Sequence, residues 1–93
     1  MLLGKVIGSV VSTVKDERLI GYKLLLVQPI SPQGKPAGET IIAATEINAG
    51  EGDLVMVTTG SPAGLAFSTE SPLDAAIIGI LDRLEVEGKD KKV

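Results

Sequence analysis

The sequence predicts an all-β fold: a small five-stranded β-barrel of the oligonucleotide/oligosaccharide-binding (OB) type, with one or two short helical turns. Two observations carry this. Five apolar segments of strand length, rich in β-branched residues, recur along 93 residues between connections rich in glycine, proline or charge. Five strands of this length suit closure into a small barrel, which leaves no sheet edge open. In addition, the chain is 44% hydrophobic but only 2% aromatic, with Tyr22 and Phe67 alone. Its core must come from Val, Ile, Leu and Ala, which interdigitate between closely packed strands.

The first strand is read over Leu2–Thr13, LLGKVIGSVVST, where small and apolar residues alternate. Gly4 and Gly8 fall on one face, where a neighbouring backbone can approach or the strand can bend. Val14–Gly21 carries Lys15, Asp16, Glu17 and Arg18 in a row and reads as a solvated connection. Tyr22–Ile30 holds the run Leu24-Leu25-Leu26-Val27 with Pro29 close behind. That length favours a strand apolar on both faces, one for the core and one for a subunit interface. Ser31–Gly38 places two prolines and two glycines in an exposed loop.

Thr40–Ile47 and Leu54–Thr59 are read as two strands of one hairpin, with Asn48-Ala49-Gly50-Glu51-Gly52-Asp53 as a glycine-rich tip. One or both of its glycines should have positive φ. Beyond Gly60, Ser61 can cap and Pro62 open a short helical turn that Gly64 ends. Ser71-Pro72-Leu73-Asp74 repeats that pattern, with Asp74 in a capping-box position. The segment after it is ambiguous, but its isoleucines and Gly79 favour one turn followed by a strand over Ile77–Val86. Residues 1–86 are read as a single domain and residues 87–93 as a frayed, charged C-terminal tail.

The composition removes several kinds of chemistry. With no cysteine there is no disulfide or thiolate site, and with no histidine the commonest general base and transition-metal ligand are absent. Glu46, Glu51 and Asp53 cluster near the tip, but as solvated turn residues they form no catalytic pair, and their spacing does not match a calcium-binding EF-hand. Gly50-Glu51-Gly52 and Gly60–Gly64 lack the pattern of a phosphate loop, and an acid inside the first repels phosphate. A net charge of −3 and two aromatics are poor material for nucleic acid. No apolar run approaches the ~20 residues of a membrane span, and Met1–Val14 lacks the features of a signal peptide, so a cytoplasmic protein is expected. A chain this short buries a modest core and gains from association.

Four stretches, in order, resemble the EutN/CcmL family of bacterial microcompartment vertex proteins. They are Gly4-Lys5-Val6-Ile7-Gly8-Ser9-Val10; Leu19-Ile20-Gly21-Tyr22-Lys23-Leu24-Leu25-Leu26-Val27-Gln28-Pro29; Ala44–Asp53; and Ser71-Pro72-Leu73-Asp74-Ala75-Ala76-Ile77-Ile78-Gly79-Ile80-Leu81-Asp82. Three positions depart from the family pattern. Glu46 stands where an aspartate is usual, Asn48 begins what is often Gly-Ala-Gly, and Gly64 ends a segment that often ends in arginine. The resemblance implies a barrel assembling as a cyclic homo-pentamer that caps the five-fold vertices of a shell of hexameric and trimeric proteins. It implies no catalysis and no cofactor; from composition, neither nucleic acid nor a membrane is expected as a partner. The alternative is a stand-alone barrel that binds oligosaccharide or single-stranded nucleic acid. On the vertex reading, Asn48, Ala49, Gly50, Glu51, Gly52 and Asp53 are expected near the five-fold axis. Gly60, Ser61, Pro62, Ser71, Pro72 and Asp74 are expected at the rim, against neighbouring shell proteins.

Overall fold

A computed structural model describes residues 1–11, 17, 21–60, 63, 74–86 and 89–91. It contains β1 (Leu2–Val10), β2 (Lys23–Ile30), β3 (Ile41–Thr45), β4 (Leu54–Thr59), β5 (Ala75–Leu81), β6 (Leu84–Val86) and β7 (Lys89–Lys91). The first five close a barrel in the order β1-β2-β3-β5-β4, as an OB-type barrel requires. All contacts in it are antiparallel except β3 with β5, which meet in parallel at Ala44 and Ala76.

This order corrects the expected hairpin. β3 and β4 are consecutive but not paired: β3 lies between β2 and β5, and β4 between β5 and β1. The connection between them crosses an end of the barrel. Its backbone is held by β1, since Val6 donates its N–H to the Asp53 carbonyl (2.9 Å) and accepts from the Gly52 N–H (2.8 Å). A partner 46 residues back along the chain thus replaces the local one.

The core is aliphatic. Val6, Leu25, Val27, Ala43, Val55, Val57, Ala75 and Ile77 meet at the barrel centre, and Ala49 from the crossing loop joins them. Burying each Val, Leu or Ile contributes about 1.5–3 kcal/mol. On β1, Gly4 and Val6 are buried while Lys5 and Ile7 are exposed. Gly4 is required where it is: a Cβ there would run into Val27 Cγ1 and come within 3.4 Å of the Gln28 carbonyl oxygen.

β2 is buried on both faces, as its sequence suggests, but much of the covering comes from its own subunit. Leu25 and Val27 enter the core, whereas Leu24 and Ile30 are less than one-tenth exposed without belonging to it. The loop after β2 folds back beside Ile30, with Pro36 bridged to it and the Ala37 N–H donating to the Pro29 carbonyl at 2.9 Å. Leu26 stays half-buried.

The last expected strand is interrupted. β5 begins at Ala75 rather than Ile77 and ends at Leu81; after Asp82 and Arg83 the chain forms a separate two-stranded sheet, β6 with β7. Lys89–Lys91 is therefore paired rather than frayed. Of the expected helical turns, Ala63 is helical and fully buried, and its N–H bonds the Gly60 carbonyl at 3.0 Å. The turn expected at 71–73 lies outside the described residues.

Candidate functional site

The two groups of residues expected to matter lie at opposite ends of β4. The Asn48–Asp53 loop precedes Leu54, and Gly60 follows Thr59, so the strand holds them roughly 23 Å apart at ~3.3 Å per residue.

The loop is fastened from within and from both sides. The Asp53 carboxylate accepts from the Gly50 N–H at 2.8 Å, and the Asp53 N–H donates to the Gly50 carbonyl at 3.0 Å. Gly52 takes φ 91°, the left-handed region that a side chain would strain. Ala49 turns inward and is 1% exposed, sealing this end of the core, while Asn48, Glu51 and Gly52 face solvent. The sequence alone missed one fastening. Lys23, at the start of β2, reaches the Ala49 carbonyl with its ammonium at 2.9 Å. These residues are 26 apart in sequence, and only the barrel order brings them together. Thr45 locks the end of β3 in the same region: its hydroxyl donates to the Ile47 carbonyl and accepts from the Ile47 N–H, both at 3.0 Å.

At the other end, the Gly60 N–H donates to the Asp74 carbonyl at 2.7 Å, so the chain leaves the barrel after β4 and returns to β5 at one point. Gly60 and Asp74 are both exposed and share a groove of about 430 Å³ with Thr40, Ile41, Ile42, Thr59 and Ala75. The groove lies where β3 runs past the start of β5, whose register pair with it is Ala44 with Ala76. Ser61, Pro62, Ser71 and Pro72 lie outside the described residues. Among the described residues no group of acidic side chains could hold a metal ion.

Residues 1–82 match the family described as ethanolamine utilisation protein EutN/carboxysome. The chain belongs to the EutN/CcmL family. It is 44% identical to the bacterial microcompartment shell vertex protein GrpN of Rhodospirillum rubrum over 86 residues, covering 91% of this chain and 97% of GrpN. It is 41% identical to the shell vertex protein EutN of Escherichia coli K12, covering 96% of this chain and 95% of that one. In three dimensions it resembles the pentameric microcompartment shell protein GrpN with a TM-score of 0.82, over 92% of this chain and 98% of GrpN, at 44% identity. These EutN/CcmL relatives are named as shell components rather than enzymes. Against the family pattern, Glu46 is exposed just beyond β3, and Asn48 is exposed at the start of the crossing loop. The loop's inward turn and its internal bonds are made at Ala49, Gly50 and Asp53.

Proposed function

We propose that this chain is a shell vertex protein of a bacterial microcompartment, five copies of which form a ring at a five-fold vertex. The observation that carries this is whole-length similarity to the pentameric shell protein GrpN, in sequence and in fold. The function is geometric: a five-membered ring inserted among hexameric and trimeric shell proteins gives a flat layer the curvature needed to close. The protein then resides in the shell, in the bacterial cytoplasm. Light scattering on the purified chain tests this directly. Five copies of the 9.6-kDa chain have a mass of about 48 kDa, and a monomer at micromolar concentration would overturn the reading.

Within that ring, the Asn48–Asp53 loop lies near the axis. Gly50 supports this placement. It is not among the residues with positive φ, and a Cβ added there would meet nothing within 4 Å in its own subunit, so no contact inside the subunit explains a glycine. Close approach of neighbouring copies would explain it. Five exposed Glu51 carboxylates would then form a negative ring that favours cations over anions in any passage. Glu51→Cys in this cysteine-free chain should give inter-subunit cross-links with a short bismaleimide; cross-linking no greater than background would remove the loop from the axis.

By the same reading, the end of the barrel bearing Gly60 and Asp74 meets neighbouring shell proteins, with Ser61, Pro62, Ser71 and Pro72 beside it in sequence. Asp74→Lys should leave the ring intact while reducing co-assembly with hexameric shell proteins. Loss of the ring itself would place Asp74 elsewhere.

A further inference from the structure

The barrel carries two β-bulges, and the same pair of residues sits at both. On β1 the register steps from Val6 opposite Val27 to Gly8 opposite Leu26, leaving Ile7 as the extra residue. On β5 it steps from Ile77 opposite Val57 to Gly79 opposite Met56, leaving Ile78 as the extra residue. A bulge bends its strand and re-aims a side chain. Here each presents an isoleucine to solvent, Ile7 at 46% and Ile78 at 39% exposure.

The glycine that follows each isoleucine also works the same way. A Cβ on Gly8 would meet Leu26 Cδ1 at 3.5 Å, and one on Gly79 would meet Met56 Cε at 3.3 Å. In both places a long, flexible apolar side chain from the neighbouring strand lies over the glycine, making a low apolar surface beside a projecting isoleucine. On the β1 side, Ile42 extends this surface: it is opposite Leu26 on β3 and 50% exposed.

β1 and β5 are two strands apart in the closed order, with β4 between them, roughly two fifths of the way around the barrel. The two surfaces therefore face different directions. Two unlike apolar patches on one subunit are what a head-to-tail ring uses, whereas a two-fold dimer buries one patch against itself. Their charged borders differ too. The exposed charge on β1 is Lys5, while the exposed pair Asp82 and Arg83 follows β5.

We infer that the two Ile-Gly bulges are the unlike halves of the contact between copies of this chain: the Ile7-Gly8 face of one subunit packs against the Ile78-Gly79 face of the next. This rests on the reading of the chain as a ring-forming shell protein. It explains why so small a barrel keeps isoleucines exposed at both bulges. It also explains why a subunit can have two neighbours.

Ile7→Asp and Ile78→Asp, purified separately, test it, with circular dichroism confirming the fold. Each should run near the 9.6-kDa monomer, a fivefold fall in mass. Mixed in equal amounts, they should form a heterodimer of about 19 kDa, because one intact contact can form between the two variants and the ring cannot close. If the wild type is a pentamer and either single variant remains one, the inference fails while the vertex reading stands. If both variants dissociate but their mixture yields no heterodimer, the two faces do not meet each other. If the wild type is itself a monomer, it is the vertex reading that fails. Should an aspartate prevent folding, the double variant Ile7→Cys/Ile78→Cys replaces the pair. A short bismaleimide should link it into a ladder up to five subunits, with neither single variant linking beyond background. A double variant that stays monomeric on a denaturing gel overturns the inference.

Discussion

The Asn48–Asp53 loop and the hairpin β6–β7 are both short, acid-bearing reversals, yet the fold treats them oppositely. The loop is tied to β1 by two backbone bonds, to β2 through Lys23, to itself through Asp53, and to the core through Ala49. Among the described residues, the hairpin forms a separate sheet in which β6 pairs with β7 alone. Near its base, Arg83 lies 3.5 Å from Glu85, with both side chains more than half exposed, an ion pair that adds little. A lone two-stranded hairpin is marginal in water. The difference lies in long-range fastening, which the loop has through β1 and β2.

Substitutions separate the two regions, and urea or thermal unfolding of each variant at fixed protein concentration measures the effect. The largest change is expected on β1, the strand that ties the loop, where Gly4→Ala drives a Cβ into Val27 and should cost about 1–3 kcal/mol. Asp53→Ala removes the carboxylate that accepts from Gly50 and should cost about 1–2 kcal/mol. Lys23→Met keeps the aliphatic stem but leaves the Ala49 carbonyl without its ammonium donor, for about 1 kcal/mol. In the hairpin, Val86→Ala should change stability by less than about 0.5 kcal/mol. A loss there as large as that from Asp53→Ala would show that the hairpin is as firmly held as the loop.

Hydrogen exchange sharpens the same comparison without mutation. The amides of Val6, Gly52 and Asp53, all hydrogen-bonded, should exchange far more slowly than those of Lys89–Lys91.

The elements were more legible in the sequence than their arrangement. Leu54–Thr59 is a strand over the residues that its β-branched run predicts, and the cores of β1, β2 and β3 follow the same pattern. Pairing was less visible, because two strands joined by a short glycine-rich loop normally form a hairpin. Nothing within Asn48–Asp53 signals that Val6 takes its backbone bonds. The break after β5 was hidden for a related reason. Ile77–Val86 is mostly apolar, and Asp82-Arg83 interrupts that run too briefly to mark a new sheet. Within the candidate site, positive φ was readable at a glycine and is found at Gly52. The inward turn of Ala49 and the reach of Lys23 depend on strands distant in sequence and could not be read locally.

The strand order also bears on when the protein can assemble. β1 must find β4, with Leu3 opposite Met56, and β3 must find β5 across the segment from Ala44 to Ala76. Such distant pairings close long stretches of chain before they are repaid, and barrels dominated by them fold in milliseconds to seconds. The bulges themselves sit in the nearer pairings, β1 with β2 and β4 with β5, but only closure sets the two faces in their places relative to each other. A newly made chain would therefore not hold both contact faces at their mutual angle until its barrel is shut, which makes folding the timer for assembly. Partly folded copies would be kept out of a growing shell because they could not engage two neighbours at once.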